Sequence, residues 1–149
     1  MRILVAMLLA VTAGFSWGQN PSPSPSPVPS ALPPLRARLM DLGGALSNDG
    51  FKMRDRIWSG KIEPGGPQRL AVNLFRGNHY WFAAAADPEV KNVTVSLFGP
   101  DGARVAGLDH REAGLAAVGV TAETTGQYFV QIETSGGPSS DFCLLYLFK

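Results

Sequence analysis

Apolar residues recur at helical spacing near the start of the region that we expect to fold. Four leucines are separated by four, three and four positions: Leu35, Leu39, Leu42 and Leu46. This spacing places them on one face of an α-helix. Pro33-Pro34 suits the first turn and Asn48-Asp49-Gly50 the end. The sequence therefore predicts a short helix that needs a surface to lie on. An amphipathic helix on a membrane is the alternative, although its polar face has only two arginines.

From Ile57 onward the apolar period changes from 3.6 to 2, which is typical of β-strands. Segments that alternate or are wholly apolar predict eight strands, at residues 58–62, 69–75, 79–85, 93–98, 104–108, 115–120, 127–134 and 142–148. Turn residues such as Gly77-Asn78 separate them. The last segment is apolar on both faces, so we expect it to be covered on both sides. The fold class predicted is all-β, an antiparallel, jelly-roll-like β-sandwich with one short N-terminal helix. A small barrel is the alternative.

Alternation also assigns aromatic side chains to the two faces of the strands. Tyr80 and Phe82 share the face that we expect to point into the core. Three other aromatic residues then point outward: Trp81, Phe98 and Phe129. Outward aromatic residues can stack on sugars or anchor a protein partner. These three are the candidate binding residues, unless the N-terminal helix covers them.

The chain before the sandwich divides into three segments. In residues 1–18, Arg2 precedes the apolar run Ile3–Val11, and Ser16-Trp17-Gly18 supplies small residues at a cleavage site. This pattern predicts a signal peptide. Residues 19–34 form a proline-rich linker that we expect to be extended, because alternating Ser-Pro excludes helix and sheet. Residues 35–56 hold the helix and a lead-in to the sandwich at 57–149. We expect a secreted or periplasmic protein with no transmembrane anchor after cleavage.

Size and charge limit the possible classes of partner. The chain has 149 residues, which suits one domain, and 13 Lys and Arg stand against 12 Asp and Glu. Without Arg2 the two signs balance, so a nucleic-acid binder, which needs a basic excess, is not expected. One cysteine, Cys143, excludes an internal disulfide framework. We expect its thiol to be buried.

The sequence contains few residues or motifs that are typical of an enzyme active site. The chain has two histidines, His79 and His110, and no H-E-x-x-H, G-x-G-x-x-G or Walker pattern. The polar run Asp109-His110-Arg111-Glu112 is interpreted as a solvated loop. We therefore expect no enzyme. A small secreted hydrolase is a distant alternative, which would need a titratable residue buried in a cleft.

Calcium is the metal that the sequence favours, and no other cofactor is indicated. Four acidic residues lie in or near predicted loops: Asp87, Glu89, Asp101 and Asp109. Calcium takes oxygen ligands from loops. Because no contiguous ligand pattern appears, these residues are candidates only as a group.

Three stretches resemble the bacterial pre-peptidase C-terminal domain, a β-sandwich appended to secreted peptidases and other exoproteins. They are GNHYWF from Gly77, VTVSLFGPDGAR from Val93 and GQYFVQI from Gly126. The resemblance implies a secreted β-sandwich. Lys91 and Asn92 stand where that family usually carries acidic residues, so its calcium binding is not implied. No enzyme domain accompanies these stretches, so no catalytic activity is implied.

The function we expect is a secreted, non-catalytic β-sandwich module for protein interaction or assembly outside the cytoplasm. Its partner would be an extracellular or envelope protein. A carbohydrate-binding module is the alternative, in which the outward aromatic residues hold a polysaccharide.

Overall fold

The computed structural model describes residues 32–54 and 57–149. The predicted signal peptide and most of the linker lie outside the described residues. The described part of the chain holds one helix, α1 (Leu32–Asn48), and nine strands. The strands are β1 (Lys52–Met53), β2 (Trp58–Ile62), β3 (Gln68–Leu74), β4 (His79–Ala86), β5 (Thr94–Phe98), β6 (Leu108–Glu112), β7 (Leu115–Thr121), β8 (Gly126–Glu133) and β9 (Ser140–Phe148).

The strands form two antiparallel sheets. One sheet has six strands in the order β1-β9-β4-β7-β6, with β2 also paired to β9. The other has three strands in the order β3-β8-β5. This architecture confirms the predicted all-β sandwich with one short helix. The helix and the two sheets make three layers, so the six-stranded sheet is the middle layer.

Strand β9 separates two apolar cores. Its residues that face the core between the sheets are Phe142, Leu144 and Tyr146. Its residues that belong to the second core, between the six-stranded sheet and α1, are Cys143, Leu145 and Leu147. The expectation that this strand is covered on both faces is confirmed. A strand buried on both sides has no polar face, which explains its continuous apolar sequence.

Helix α1 covers the middle of the six-stranded sheet, where it contacts β9 and β4. Leu35 and Leu39 are buried, and Leu42 and Leu46 are half-buried against the same core. The predicted leucine face is therefore the packed face. The helix begins at Leu32, three residues before Leu35, with Pro33-Pro34 in its first turn. Proline is tolerated there because the backbone N–H groups of the first turn have no partner within the helix. Among the described residues, no helix is long and apolar enough to cross a membrane.

The edge of the six-stranded sheet differs from the prediction. The strand expected over residues 104–108 is wrong: among residues 104–107 only Arg104 makes a bridge, to Phe98, and Leu108 is the first residue of the next strand. The edge strand is β6, and it includes Asp109 to Glu112, where the sequence predicts a loop. All five residues of β6 are exposed. An edge strand can be held by its backbone hydrogen bonds to β7 without any apolar face, so a search for apolar alternation misses it.

Tyr80 and Tyr128, which lie in the stretches that carry the family resemblance, form hydrogen bonds to backbone groups of turns in the sandwich. The backbone N–H of Phe75 donates to the hydroxyl of Tyr80 at 2.8 Å, across the β3–β4 turn. The hydroxyl of Tyr128 donates to the carbonyl of Thr124 at 2.9 Å, before β8. Both tyrosines are buried in the core between the sheets. Their place in the motif is therefore explained by the fold.

Each of these hydroxyls is expected to stabilise the protein. Tyr80→Phe and Tyr128→Phe should each lower the free energy of unfolding by about 1 kcal/mol, because a backbone group loses its partner. Urea unfolding followed by circular dichroism measures the change. The slope against urea should match the wild type, since the same surface is exposed on unfolding. Unchanged midpoints in both variants would contradict a role for these bonds.

Candidate functional site

The three candidate aromatic residues lie on two separate surfaces. Trp81 is on β4, in the six-stranded sheet, whereas Phe98 and Phe129 are on β5 and β8 of the three-stranded sheet. All three point away from the core between the sheets, as alternation predicts. Trp81 is half-buried against the apolar core that lies between the six-stranded sheet and α1. The three residues therefore do not form one binding surface.

The first surface is the outer sheet face, which we define as the outward side of β3, β8 and β5. Its side chains are those of Arg69, Ala71, Asn73, Gln127, Phe129, Gln131, Glu133, Thr94, Ser96 and Phe98. In register, Phe129 lies between Ala71 and Phe98. Phe129 is 37% exposed, which is unusual for so large an apolar side chain in the middle strand of a sheet. Among the described residues, the helix packs on the other sheet and not on this face.

Arg69 orders the polar part of the outer sheet face. Its Nε donates to Oε1 of Gln131, and Nε2 of Gln131 donates to Oε1 of Glu133 at 2.5 Å. The guanidinium carbon of Arg69 lies 5.7 Å from the centre of the Phe98 ring, which is a cation–π distance. Gln131 is only 7% exposed. These contacts fix the side chains before any partner arrives, which lowers the entropy cost of binding.

The second surface is a groove of about 670 Å³ on the six-stranded sheet. We call it the Trp81 groove. Six of the residues that line it carry its chemistry: Trp81, Leu108, His79, Thr121, Glu123 and Lys149. It lies beside edge strand β6, where Leu108 is 71% exposed.

Glycine shapes the floor of the Trp81 groove. Leu108, Gly119 and Trp81 lie side by side on three neighbouring strands. A Cβ at position 119 would lie 2.6 Å from Cζ2 of Trp81. Only glycine there lets the indole ring lie against the sheet. Sequence reasoning missed this groove, although a glycine inside a strand pattern is a known signal of close approach.

Polar groups line the rim of the same groove. Nδ1 of His79 and Oγ1 of Thr121 are 2.8 Å apart, and they join β4 to β7. Nζ of Lys149 donates to the carbonyl of Asp49 at 3.2 Å and lies 4.5 Å from the centre of the Phe51 ring. These contacts place hydrogen-bonding groups around an aromatic floor.

Three of the four candidate calcium ligands, Asp87, Asp101 and Asp109, use their carboxylates in local contacts. Oδ1 of Asp87 accepts the backbone N–H of Glu89 at 3.0 Å, and Oδ1 of Asp101 accepts that of Ala103 at 3.0 Å. These bonds fasten turns. The placement of Asp109 in a loop is wrong, since it lies in β6 and pairs with Arg111 at 3.7 Å. Within residues 32–54 and 57–149, no group of three or more His, Cys, Asp or Glu is arranged to hold a metal ion. The structure does not bring the four acids together.

The exposed pair of His110 and Glu112 lies on edge strand β6. Nε2 of His110 is 3.2 Å from Oε1 of Glu112, and the two side chains are 48% and 58% exposed. Water therefore surrounds both groups and screens their interaction. A general acid or base is usually tuned by burial, which this pair lacks.

Cys143 is buried, as expected, on the side of β9 that faces α1. Burial raises the pKa of its thiol, while a hydrogen bond and the positive charge from Arg36 oppose the rise. The thiolate is the reactive form of cysteine. A raised pKa and a covered sulfur both make this thiol unreactive in the folded protein.

We expect Cys143 to react with Ellman's reagent only when the protein unfolds. At pH 8 the native protein should release almost no thionitrobenzoate, and guanidinium chloride should release one equivalent. Because burial raises the folded pKa of the Cys143 thiol, its contribution to stability is fully present below the unfolded pKa and is lost as pH rises through the folded pKa. Rapid labelling of the native protein would show that the Cys143 thiol is accessible and would contradict its burial under α1.

No family model matches this chain. No curated protein matches it either. The resemblance to the pre-peptidase C-terminal domain therefore stays a prediction that rests on the three sequence stretches.

Proposed function

We propose that the protein is a secreted, non-catalytic β-sandwich module that binds a protein partner outside the cytoplasm. The observation that carries this proposal is the outer sheet face, where Phe129 is 37% exposed beside Phe98 and the ordered side chain of Arg69. Aromatic residues and arginine supply most of the binding energy in protein interfaces.

The shape and chemistry of the outer sheet face favour a protein over a small molecule. A sheet face is broad, whereas small-molecule sites are concave. Arg69 uses Nε for Gln131, and its terminal nitrogens bond no other described residue. They can pair with a carboxylate on the partner in a forked arrangement. The partner we propose therefore presents an apolar side chain to Phe129 and an acidic group to Arg69.

The proposal of a module without catalysis is supported by the surroundings of the histidines. His110 pairs with an exposed glutamate, and His79 bonds Thr121 at an exposed position. Secretion is supported by the pattern of residues 1–18 and by the resemblance to a domain of exoproteins.

Site-specific photo-crosslinking tests the proposal. A photoreactive phenylalanine analogue replaces Phe129 in the full chain, and a matched variant carries it at Met40, which is 49% exposed on α1. Each variant is irradiated with envelope and secreted fractions of the native organism. One stoichiometric protein adduct at position 129, and none at position 40, is expected.

Two further variants test whether the crosslinked partner binds through the outer sheet face. Phe129→Ala and Arg69→Ala should each weaken capture of that partner roughly 30-fold, the loss expected when a central interface side chain worth about 2 kcal/mol is removed. Met40→Ala should leave capture unchanged. Equal adducts at both positions, or none at position 129, would refute the outer sheet face as the interface.

A further inference from the structure

The Trp81 groove has the two features of a small-ligand site that the outer sheet face lacks. It is concave, and polar groups converge on an apolar floor. The six-stranded sheet separates it from the core between the sheets, so it lies on the opposite side of the sandwich from Phe129. A ligand in this groove would not compete with a partner on the outer sheet face.

The floor of the groove offers a flat aromatic surface extended by an aliphatic one. Trp81 lies against Gly119, and Leu108 continues the row on edge strand β6. Gly107, next to Leu108, also lacks a side chain, and a Cβ there would lie 2.5 Å from the carbonyl oxygen of Gly119. Larger residues at either glycine would disturb the floor. Glycine at these two positions therefore shapes the groove among the residues that the structure describes.

The rim of the groove offers both donors and acceptors without a net charge. Glu123 and Lys149 contribute one charge of each sign, and His79 with Thr121 contributes an imidazole and a hydroxyl. A strongly anionic or cationic ligand would gain little from this balance. A neutral ligand with many hydroxyl groups fits it best.

We infer that the Trp81 groove binds a neutral sugar ring of an oligosaccharide or polysaccharide. A pyranose has a face of C–H groups that stacks on an aromatic ring and an edge of hydroxyls that bond polar side chains. Trp81 and Leu108 supply an apolar surface for the C–H face of the sugar. The polar side chains of the rim supply hydrogen-bonding partners for its hydroxyl groups: His79, Thr121, Glu123 and Lys149. Leu108 at the β6 end of the groove is 71% exposed, so among the described residues a longer chain would continue along that edge.

Titration calorimetry of the full chain tests this inference. The probes are hexasaccharides of α-1,4-glucose, β-1,4-glucose, β-1,4-mannose and β-1,4-N-acetylglucosamine. Binding of at least one of them is expected. Trp81→Ala should weaken that binding at least tenfold. Thr121→Val, which replaces the hydroxyl with a methyl group of similar size, should weaken it several-fold.

The control variant is Phe129→Ala, which removes an aromatic ring from the other side of the sandwich and should leave sugar binding unchanged. If Trp81→Ala does not fold, Thr121→Val still decides the outcome. No binding of any probe, or equal binding by wild type and the groove variants, overturns the inference. Either result leaves the crosslinking at position 129 as an independent test of the protein interface.

Discussion

Leu39→Ala is expected to lower the free energy of unfolding by about 2–5 kcal/mol. Leu39 is fully buried between α1 and the six-stranded sheet, in one cluster with Leu35 and Leu145. The change removes buried apolar area and leaves a cavity that the rigid sheet cannot close. The result would show that the helix folds as part of the domain.

The matched control is the next residue along the helix. Met40 is 49% exposed, so Met40→Ala should change the free energy of unfolding by no more than about 0.5 kcal/mol. Urea unfolding, followed at once by circular dichroism and tryptophan fluorescence, measures both variants. If Leu39→Ala were as harmless as Met40→Ala, the helix would not be packed on the sheet in solution. The alternative of a helix that lies on a membrane would then gain support.

The helix and most strands were predictable because their residues obey local rules. The spacing of the four leucines depends only on the pitch of a helix, and the leucine face is the face that packs. The alternation of Tyr80, Trp81 and Phe82 depends only on the pleat of a strand, and it correctly separates inward from outward side chains. The apolar run of β9 correctly indicates a strand covered on both sides.

Features that depend on distant parts of the chain were not predictable. Alternation shows that Trp81 and Phe129 point outward, but it does not show that their strands belong to different sheets. Strand β6 was missed because backbone pairing to β7, and no side-chain pattern, holds it. The Trp81 groove depends on the register that sets Gly119 between Leu108 and Trp81. Sheet membership and register are set by pairing over many residues, which one sequence does not reveal.

The largest loss of stability is expected from Phe82→Ala, at about 3–5 kcal/mol. Phe82 is fully buried in the core between the sheets. Its ring centre lies 4.7 Å from that of Tyr146 and 6.4 Å from that of Tyr80. The truncation removes these ring contacts together with the buried area of the side chain. Neither tyrosine can move into the space without giving up its own packing.

Phe129→Ala makes the same chemical change on the outer sheet face. Phe129 is 37% exposed, so the loss of stability should be about 1–2 kcal/mol, smaller than that expected at Phe82. The two variants therefore have opposite expected effects on folding and binding. Phe82→Ala should unfold at a much lower urea concentration yet bind the partner normally while it is folded. Phe129→Ala should unfold at a urea concentration closer to that of the wild type, and it should capture the partner much more weakly.

Urea midpoints and capture of the crosslinked partner, measured on the same two preparations, test this contrast. Both side chains lie on middle strands of their sheets, so strand position does not separate them. The difference between them is the side of the strand on which each ring lies. If Phe129→Ala lost as much stability as Phe82→Ala, the outward ring would be a structural residue. The outer sheet face would then lose the exposed aromatic anchor on which the proposed protein interface depends.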